Sequence, residues 1–383
     1  MRPDAGPAPD ARGLPPVYLC GPIARAGEAA RGGYQACNRR TLDALREAGA
    51  DVRPLPFPHP RATGLSKMAE YAFGFLALYG RVLKCPRGSI LHLTALSVHF
   101  IYLEWVIVHL ARLRGCRVLF DLRAGAGLIN YQERTAIYRC AFDATARTAD
   151  LCLVEGEELV PFVSRSSRRP TYHFPNHLDT TAIATRRDGD LLPPAPTVAY
   201  AGRIVPEKGV ETLLEACRAL ATQGLAPQIR IAGDGHPAYL ADLRDRFSDL
   251  PVQWLGPLQS ADVLDLLRNA HFFIFPTRHF GEGQSNALTE ALACGCVCIV
   301  SRHGFNASVV GPAGVVLELG ATPQQYAEQL AAVWSSPDRW RTLSEAGRRR
   351  AGARFSTRPV VSRLIEHYRA IAGGDHGHHS TVL

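Results

Sequence analysis

The stretch that decides the fold is EGQSNALTE, residues 282–290, which places two glutamates eight positions apart. Apolar runs flank it, FFIFP at 272–276 and CVCIV at 296–300. This order predicts a strand, a glycine-containing loop, a short helix and another strand. Strands that alternate with helices indicate a parallel sheet. Ligands of such sheets bind beyond the carboxyl ends of the strands.

The same stretch predicts an anion site between two carboxylates. The N–H groups and the dipole at a helix N-terminus favour negative charge. Glu282 falls in the loop and Glu290 on the helix, so both can accept hydroxyl groups. A nucleotide-sugar, with phosphates in the middle and polyols at both ends, fits this pattern. The alternative interpretation is that both glutamates are solvated surface charges.

Composition points to a soluble globular protein with two domains. The chain has 383 residues, of which 46% are hydrophobic and 20% are charged, and this length is large for one core. The net charge of +8 suits nucleic acid, anionic lipid or phosphorylated ligands and does not choose among them. The ten cysteines lie mostly in apolar runs without zinc spacing, which favours reduced, buried thiols and a cytoplasmic location.

The chain divides into two similar halves. Residues 17–179 and 197–372 each alternate strands and helices, which predicts two doubly wound α/β domains that face a cleft. The proline-containing segment 180–196 is interpreted as a linker. Residues 1–16 and 373–383 are predicted to be a disordered leader and tail, and the final helix can pack back on the N-terminal domain.

One apolar segment, residues 95–113, approaches the length of a membrane span. It contains Glu104, His99 and His109, which favour a buried or interfacial helix instead.

A second predicted phosphate site follows the first strand of the second half. GRIVPEKG, residues 202–209, supplies Arg203 as a planar fork and Lys208 as a point charge. Solvated surface cations are the alternative. The next predicted strand ends at a glycine loop, residues 233–235, where the backbone can approach a ligand closely, although a plain turn explains it equally well.

These stretches, together with 252–256 and 282–295, resemble the retaining glycosyltransferases of family 4. That family has the GT-B architecture, an α/β fold of two Rossmann-like domains. Looser likenesses are Gly33 with the glycine before it, residues 175–179, and the closing segment 340–368. The similarity covers nearly the whole chain and is strongest in the second half.

The resemblance implies transfer of a sugar from a UDP- or GDP-sugar to an acceptor hydroxyl, with retention and without a metal or other cofactor. Carried over residue by residue, Arg203 and Lys208 hold the donor diphosphate, Glu282 contacts sugar hydroxyls and Glu290 contacts the ribose. Further donor-binding positions are Gly33, Gly202, Gly233, Leu258, Gly283, Gln284, Ser285 and Asn286.

Two features depart from the family pattern. Arg123 stands where members often carry a histidine near the donor sugar. Because arginine cannot act as a base at neutral pH, we expect it to serve catalysis as an electrostatic or hydrogen-bonding group. Residues 278–280 lengthen the loop before Glu282. Because of these two departures, the resemblance does not identify the sugar. The one Asp-x-Asp, at 188–190, falls in the linker and is not a predicted metal site.

Two other activities compete with glycosyl transfer. One is a nucleotide-sugar epimerase or hydrolase on the same fold, and the other is a glycan-binding scaffold without chemistry. The basic charge and the apolar N-terminal helices predict a glycan or lipid-linked acceptor of the cell envelope or of exopolysaccharide. They also predict association with the inner face of the membrane, and nucleic acid is not an expected partner.

Overall fold

The computed structural model describes residues 8–23, 33–60, 63–98, 100–180, 183 and 192–373. These residues form two compact units. The N-terminal unit is the chain up to His177 together with the segment from Thr357 onward, and the C-terminal unit is Leu178–Ser356. Four segments that the sequence distinguished lie outside the described residues: the Asp-x-Asp at 188–190, most of the predicted linker around it, residues 1–7 of the predicted leader, and residues 374–383.

The N-terminal unit is built on a parallel sheet of six strands. In spatial order the strands run β2-β1-β3-β4-β5-β6. Their bounds are β1 (Val17–Gly21), β2 (Val52–Pro56), β3 (Ile90–Ala95), β4 (Arg117–Leu122), β5 (Leu151–Val154) and β6 (Thr171–His173). β1, β3 and β5 are buried along their full length. Continuous burial follows from helices on both faces of a parallel sheet.

Among the described residues, seven α-helices belong to this unit. They are α1 (Gly33–Glu47), α2 (Gly64–Val82), α3 (Ile101–Leu113), α4 (Gly127–Glu133), α5 (Ala136–Thr148), α6 (Val160–Ser167) and, by chain order the last, α14 (Thr357–Gly373). The apolar segment 95–113 forms the end of β3 and all of α3, whose Glu104 is buried. Within the described residues, no helix is long and apolar enough to cross a membrane.

The core of the N-terminal unit contains both ends of the described chain. Ala11 is buried in it, and its N–H donates to the carbonyl of Ala48 at 2.7 Å. Residues 8–16, expected to belong to a disordered leader, therefore differ from that expectation. Val361, Leu364 and Tyr368 of α14 pack in the same core cluster. The final helix thus completes the N-terminal unit.

The C-terminal unit holds a second parallel sheet of six strands, in the order β12-β11-β10-β7-β8-β9. The strands are β7 (Thr197–Ala201), β8 (Gln228–Ala232), β9 (Val252–Gly256), β10 (Phe272–Phe275), β11 (Val297–Ser301) and β12 (Val315–Leu317). The helices are α7 (Val210–Thr222), α8 (Pro237–Arg246), α9 (Ser260–Arg268), α10 (Asn286–Cys294), α11 (Asn306–Val310), α12 (Pro323–Trp334) and α13 (Pro337–Phe355). Two parallel sheets flanked by helices confirm the predicted fold class.

Residues 282–290 and the apolar runs that flank them fold as predicted. β10 leads through a loop into α10, and β11 follows. Ser285 caps α10, because its side chain accepts from the N–H of Leu288, and a serine at this position is a favoured N-cap. Gly295 ends the helix in the left-handed conformation at φ 85°, as glycine commonly does. The cysteines at 294, 296 and 298 are buried thiols.

Candidate functional site

Four neighbouring strands of the C-terminal sheet end in the loops that carry the predicted site. Gly202 and Arg203 follow β7, Gly233 follows β8 and Leu258 follows β9, while Glu282 lies between β10 and α10. These strands are adjacent in the order β10-β7-β8-β9, so their carboxyl ends share one edge of the sheet. The fold therefore gathers the predicted residues of this half at one edge.

Two of the loops touch through their glycines. Gly202 N–H donates to the carbonyl of Ala232 at 3.0 Å, and Ile204 pairs with Gly235 in a short parallel bridge. A Cβ on Gly233 would lie 1.8 Å from the carbonyl oxygen of Gly202. Gly233 is thus required for the close approach of two backbones, and its contact with a donor stays a prediction.

Lys208 and Glu282 form an ion pair at the centre of this edge. Lys208 Nζ donates to Glu282 Oε1 at 2.9 Å and to Oε2 at 2.6 Å. The two side chains are 12% and 6% exposed. A buried pair of this kind costs desolvation, which is offset only when further hydrogen bonds satisfy the charges. The sequence predicted a role for each residue but not their pairing.

Further polar groups support the Glu282 carboxylate. The Thr277 hydroxyl, fully buried, donates to Glu282 Oε2 at 2.7 Å. Ser301 Oγ donates in turn to the Thr277 carbonyl at 2.6 Å. Sequence reasoning missed Thr277 and Ser301. Polar residues at the ends of buried strands, β10 and β11, were the available signal.

The loop that contains Glu282 is held to the loop that contains Lys208. Arg278 N–H donates to the carbonyl of Glu207 at 2.7 Å. Gly209, at φ 76°, lies so close to Pro276 that a Cβ would be 2.4 Å from its carbonyl oxygen. Backbone contacts of this kind fix the ion pair in a rigid setting, as a preorganised site needs.

Arg203 and His279 lie together beside the ion pair. Arg203 Nη2 is 3.2 Å from His279 Nε2, and the Gly281 N–H is directed at His279 Nδ1 at 3.2 Å. Burial, followed by the charge of Lys208, lowers the pKa of His279 below its ordinary value. The neutral form of the ring is therefore favoured. Sequence reasoning counted His279 only as part of a longer loop.

The start of α10 presents the remaining predicted donor contacts. Gly283, Ser285 and Asn286 are half-buried and Gln284 is buried, with its amide donating to Thr289 Oγ1 at 3.2 Å. Glu290 lies one turn into the helix and is half-buried. The helix N-terminus is a partial positive charge, so this end of α10 favours an anion near Glu282.

The N-terminal unit holds the other two predicted residues, Gly33 at the exposed start of α1 and Arg123 after β4. Arg123 is only 2% exposed. It donates to Asp121 Oδ2 at 2.7 Å and to Asn176 Oδ1 at 3.0 Å, and its guanidinium lies 4.4 Å from the Phe174 ring centroid. These contacts give Arg123 a packing role within its unit, and direct contact with a sugar stays a prediction.

The described residues contain no group of three or more His, Cys, Asp or Glu side chains arranged to hold a metal ion.

Comparison with known proteins confirms the resemblance seen in the sequence. Residues 195–336 match the family described as Glycosyl transferases group 1. A GDP-mannose-dependent monoacylated alpha-(1-6)-phosphatidylinositol monomannoside mannosyltransferase of Corynebacterium glutamicum is 29% identical over 221 residues, which are 53% of this chain and 57% of that protein. A D-inositol 3-phosphate glycosyltransferase of Thermobispora bispora is 31% identical over 49% of this chain and 46% of its own length. The chain thus spans about half the length of the curated relatives it matches.

Solved structures show the same fold over nearly the whole chain. Sucrose-phosphate synthase from Thermosynechococcus elongatus aligns with a TM-score of 0.71 and 19% identity, over 94% of this chain and 100% of that chain. Anabaena HepE in complex with UDP aligns with a TM-score of 0.69 and 14% identity, over 93% and 100%. Identities this low establish the fold alone.

Proposed function

We propose that this chain, whose residues 195–336 match the family described as Glycosyl transferases group 1, transfers a sugar from a UDP- or GDP-sugar to an acceptor hydroxyl. The observation that carries the proposal is the buried Lys208–Glu282 pair at the carboxyl edge of the C-terminal sheet. Buried ion pairs add little to stability. A role in ligand binding therefore explains the burial of this pair between two loops better than a purely structural role does. Ligands of this type of sheet bind at the same edge.

The donor would lie with its diphosphate between Arg203 and the start of α10. An ammonium has three N–H donors, and Glu282 takes two from Lys208, so the third can reach a phosphate oxygen. Arg203 and the α10 N–H groups stabilise the negative charge that grows on the leaving diphosphate. Glu282 then accepts a hydroxyl of the sugar, and Glu290 accepts the ribose hydroxyls.

The reaction would proceed with retention and without a metal. The bond from the anomeric carbon to the diphosphate oxygen breaks, and the acceptor hydroxyl attacks the same face of the sugar. The leaving phosphate oxygen takes the proton of that hydroxyl, so no side chain needs to act as the base. Arg203, Lys208 and the helix terminus supply the positive charge that a cation would otherwise provide.

Two variants test the placement of the donor. Glu290→Gln should weaken binding of bare UDP or GDP, because an amide offers one acceptor oxygen where a carboxylate offers two. Glu282→Gln should spare nucleotide binding and reduce transfer. Isothermal titration with the bare nucleotides measures both. Equal losses, or the reverse order, would show that the two carboxylates are misplaced.

Product analysis tests the reaction itself. With a nucleotide-sugar and a panel of acceptors, we expect a new α-linked product from an α-linked donor, detected by NMR, in the presence of excess EDTA. Release of free nucleotide without any acceptor would favour the epimerase or hydrolase. Loss of turnover in EDTA that manganese restores would contradict the metal-independent reaction.

The acceptor is proposed to be a lipid-linked or envelope glycan at a membrane surface. α2 packs Phe75 and Leu78 into the N-terminal unit and exposes a second apolar stripe, which includes Leu65 and Phe73 at 90% and 73% exposure. The stripe continues through Met68 and Leu76. An exposed apolar helix face beside basic residues is typical of interfacial helices, which is why we place the acceptor at a lipid surface.

A further inference from the structure

His279 lies between two hydrogen-bond donors. Arg203 Nη2 is 3.2 Å from His279 Nε2, and the Gly281 N–H is directed at Nδ1 at the same distance. A guanidinium and a backbone N–H can only donate, whereas a neutral imidazole has one donor and one acceptor nitrogen. Either neutral tautomer therefore leaves one contact in which a donor faces a donor. The protonated imidazolium would leave two such donor–donor contacts.

The Gly281 contact decides which tautomer is favoured. The Gly281 N–H belongs to the backbone of the same turn and is directed at Nδ1 at 3.2 Å, whereas the Arg203 guanidinium is on an exposed side chain that can turn away from the ring. With Nδ1 as the acceptor, the ring proton is on Nε2 and points toward the Arg203 guanidinium. Two N–H groups from different loops then converge, and an oxygen with lone pairs placed at that point would accept from both.

We propose that His279 and Arg203 jointly bind one anionic phosphate oxygen of the nucleotide diphosphate. The inference rests on the proposed function, since it names a further residue for the diphosphate of that donor. It assigns to His279 Nε2–H a role that neither the sequence pattern nor the Arg203 and Lys208 assignments contain. The ligand class is a diphosphate or a compact anion of the same chemistry.

The backbone of His279 is held firmly enough for such a role. Its N–H donates to Thr277 Oγ1 at 3.2 Å, and its carbonyl accepts from Glu282 N at 2.9 Å and from His303 Nε2 at 2.8 Å. Gly304 lies against this turn so closely that a Cβ would be 2.4 Å from the Glu282 carbonyl. Groups positioned by rigid surroundings bind without an ordering cost.

The charges around the ring assign the diphosphate to this pair. Lys208 is engaged by both oxygens of Glu282, so its charge is largely compensated. Among the described residues, no carboxylate lies within ion-pair distance of Arg203. The exposed guanidinium therefore keeps its full charge for a ligand. A neutral imidazole beside it adds a directed donor without a second cation, which its lowered pKa also favours.

Two isosteric substitutions test the assignment. In His279→Gln the amide NH₂ can occupy the position of Nε2, whereas in His279→Asn it is confined to the position of Nδ1. We expect His279→Asn to weaken binding of GDP, UDP and inorganic pyrophosphate by about 10- to 100-fold, the cost of one hydrogen bond to a charged group. His279→Gln should lose much less. Isothermal titration measures each Kd.

Arg278→Ala is the matched control, because Arg278 is the adjacent exposed cation of the same loop. It should leave the Kd of the diphosphates within about twofold, and a double variant with Arg203→Ala should show that His279 and Arg203 are coupled. A measurement without substitution is the histidine ¹⁵N spectrum of the unaltered protein. On addition of pyrophosphate, the signal of a protonated His279 Nε2 should shift.

The outcomes separate this inference from the proposed function. If the unaltered protein binds GDP or UDP and His279→Asn binds equally well, the role of His279 is overturned and the donor site stands. If Arg278→Ala weakens binding as much as His279→Asn does, the loop acts by charge alone and the inference fails. If the unaltered protein binds neither nucleoside diphosphate, the proposed function fails and the inference falls with it.

Discussion

At the scale of single residues, the site depends on the negative charge of Glu282, which the ammonium of Lys208 compensates. Glu282 is nearly buried and accepts from Lys208 and Thr277. A carboxylate in this position is tolerated only while its partners remain, because an unpaired buried charge is far more costly than a buried pair. Lys208 and Arg203, which the sequence pattern treats alike, should therefore respond differently to substitution.

We expect Lys208→Met to reduce both stability and turnover. Removing the ammonium leaves Glu282 without its cation, which should lower the free energy of unfolding by about 3–5 kcal/mol. Arg203→Met removes an exposed side chain and should change stability by no more than about 0.5 kcal/mol, while it weakens binding of nucleoside diphosphates. Urea unfolding and titration with GDP and UDP measure the two effects.

The double variant Lys208→Met with Glu282→Gln is the control for this interpretation. It removes the carboxylate charge as well and should recover much of the lost stability. Equal stability losses for Lys208→Met and Arg203→Met would mean that the ion pair contributes nothing to the fold.

Thr277 should act as a positioning residue. Thr277→Val keeps the shape of the side chain and removes the hydrogen bond to Glu282 Oε2. Loss of a hydrogen bond to a charged group costs about 1.5–3 kcal/mol, or roughly 10- to 100-fold in rate. We expect this loss in kcat, with the Kd of bare UDP or GDP unchanged. Thr277→Ser retains the hydroxyl and should keep most of the activity.

At the scale of elements, α14 joins the end of the chain to the start of the N-terminal unit. His177 Nδ1 lies 3.0 Å from Thr357 Oγ1 at the start of α14, and its Nε2 lies 3.0 Å from Thr41 Oγ1 on α1. Thr41 donates its own proton to the Cys37 carbonyl, so it accepts from His177 Nε2–H. The imidazole is therefore held as a neutral ring between two helices.

Acid should loosen this contact. Burial lowers the pKa of His177 to about 3 from an ordinary value of 6.5. Below pH 6.5 the unfolded chain binds a proton that the folded chain does not, so stability falls as the pH drops from 6.5 toward 3. At pH 5 the loss from this residue is about 2 kcal/mol. Burial lowers the pKa of His173 to about 4, which adds in the same direction.

Chemical unfolding at pH 7 and pH 5 measures the effect. In His177→Gln the loss of stability between the two pH values should be smaller by about 2 kcal/mol. His236→Gln is the control, because His236 is exposed in the other unit, and it should leave the pH dependence as it is. An unchanged dependence in His177→Gln would show that the ring does not stay neutral in the folded protein.

Elements with a clear apolar period could be predicted from the sequence, and others could not. β10 and β11 form where the apolar runs at 272–276 and 296–300 predicted strands, because each run is short and lies beside loop residues. α2 was missed. It is apolar on two faces and contains Gly74 and Gly80, so it shows neither a single stripe nor strong helix propensity. α14 was expected as a final helix that can pack back on the N-terminal domain, but its partners could not be named because they are distant in sequence. The hydrogen bond between Tyr368 and His92, for example, spans 276 positions.

The candidate site, too, could be predicted from the sequence only in part. The pattern of glycines, Arg203, Lys208 and the two glutamates was readable, because the ends of parallel strands meet at one edge. The Lys208–Glu282 contact spans 74 positions, and the support from Thr277 depends on side-chain direction. Neither of these contacts produces a periodic pattern in the sequence. Arg123 was expected to act beside the donor sugar, and its burial could not be inferred from its neighbours in sequence.

At the scale of the whole molecule, the net charge of +8 acts together with the exposed stripe of α2. Lys67 and Lys84 are exposed on or just after this helix, and Tyr102 and Trp105 of the neighbouring α3 are also exposed. Aromatic side chains favour the headgroup region of a bilayer. Basic residues near an anionic surface each add about 1 kcal/mol of attraction, which salt screens.

Binding to lipid vesicles should therefore depend on both terms. We expect the protein to sediment with phosphatidylglycerol-containing vesicles at low salt, and to bind pure phosphatidylcholine vesicles much more weakly. Raising the salt to about 0.5 M should release most of it, because the Debye length falls to a few ångströms. Phe73→Ser with Leu76→Ser should weaken binding even at low salt, since each exposed side chain contributes by burial of apolar area.

Ala72→Ser is the matched control for the double variant, because Ala72 is exposed on the same helix and has little apolar area to lose. If Phe73→Ser with Leu76→Ser binds vesicles as well as the unaltered protein does, the stripe is not the contact surface. If that variant instead becomes monomeric where the unaltered protein is a dimer, the occupant of the stripe is a second copy of the chain. Since neither substitution lies in the C-terminal unit, binding of bare nucleotides should be unchanged, which separates loss of membrane contact from loss of the donor site.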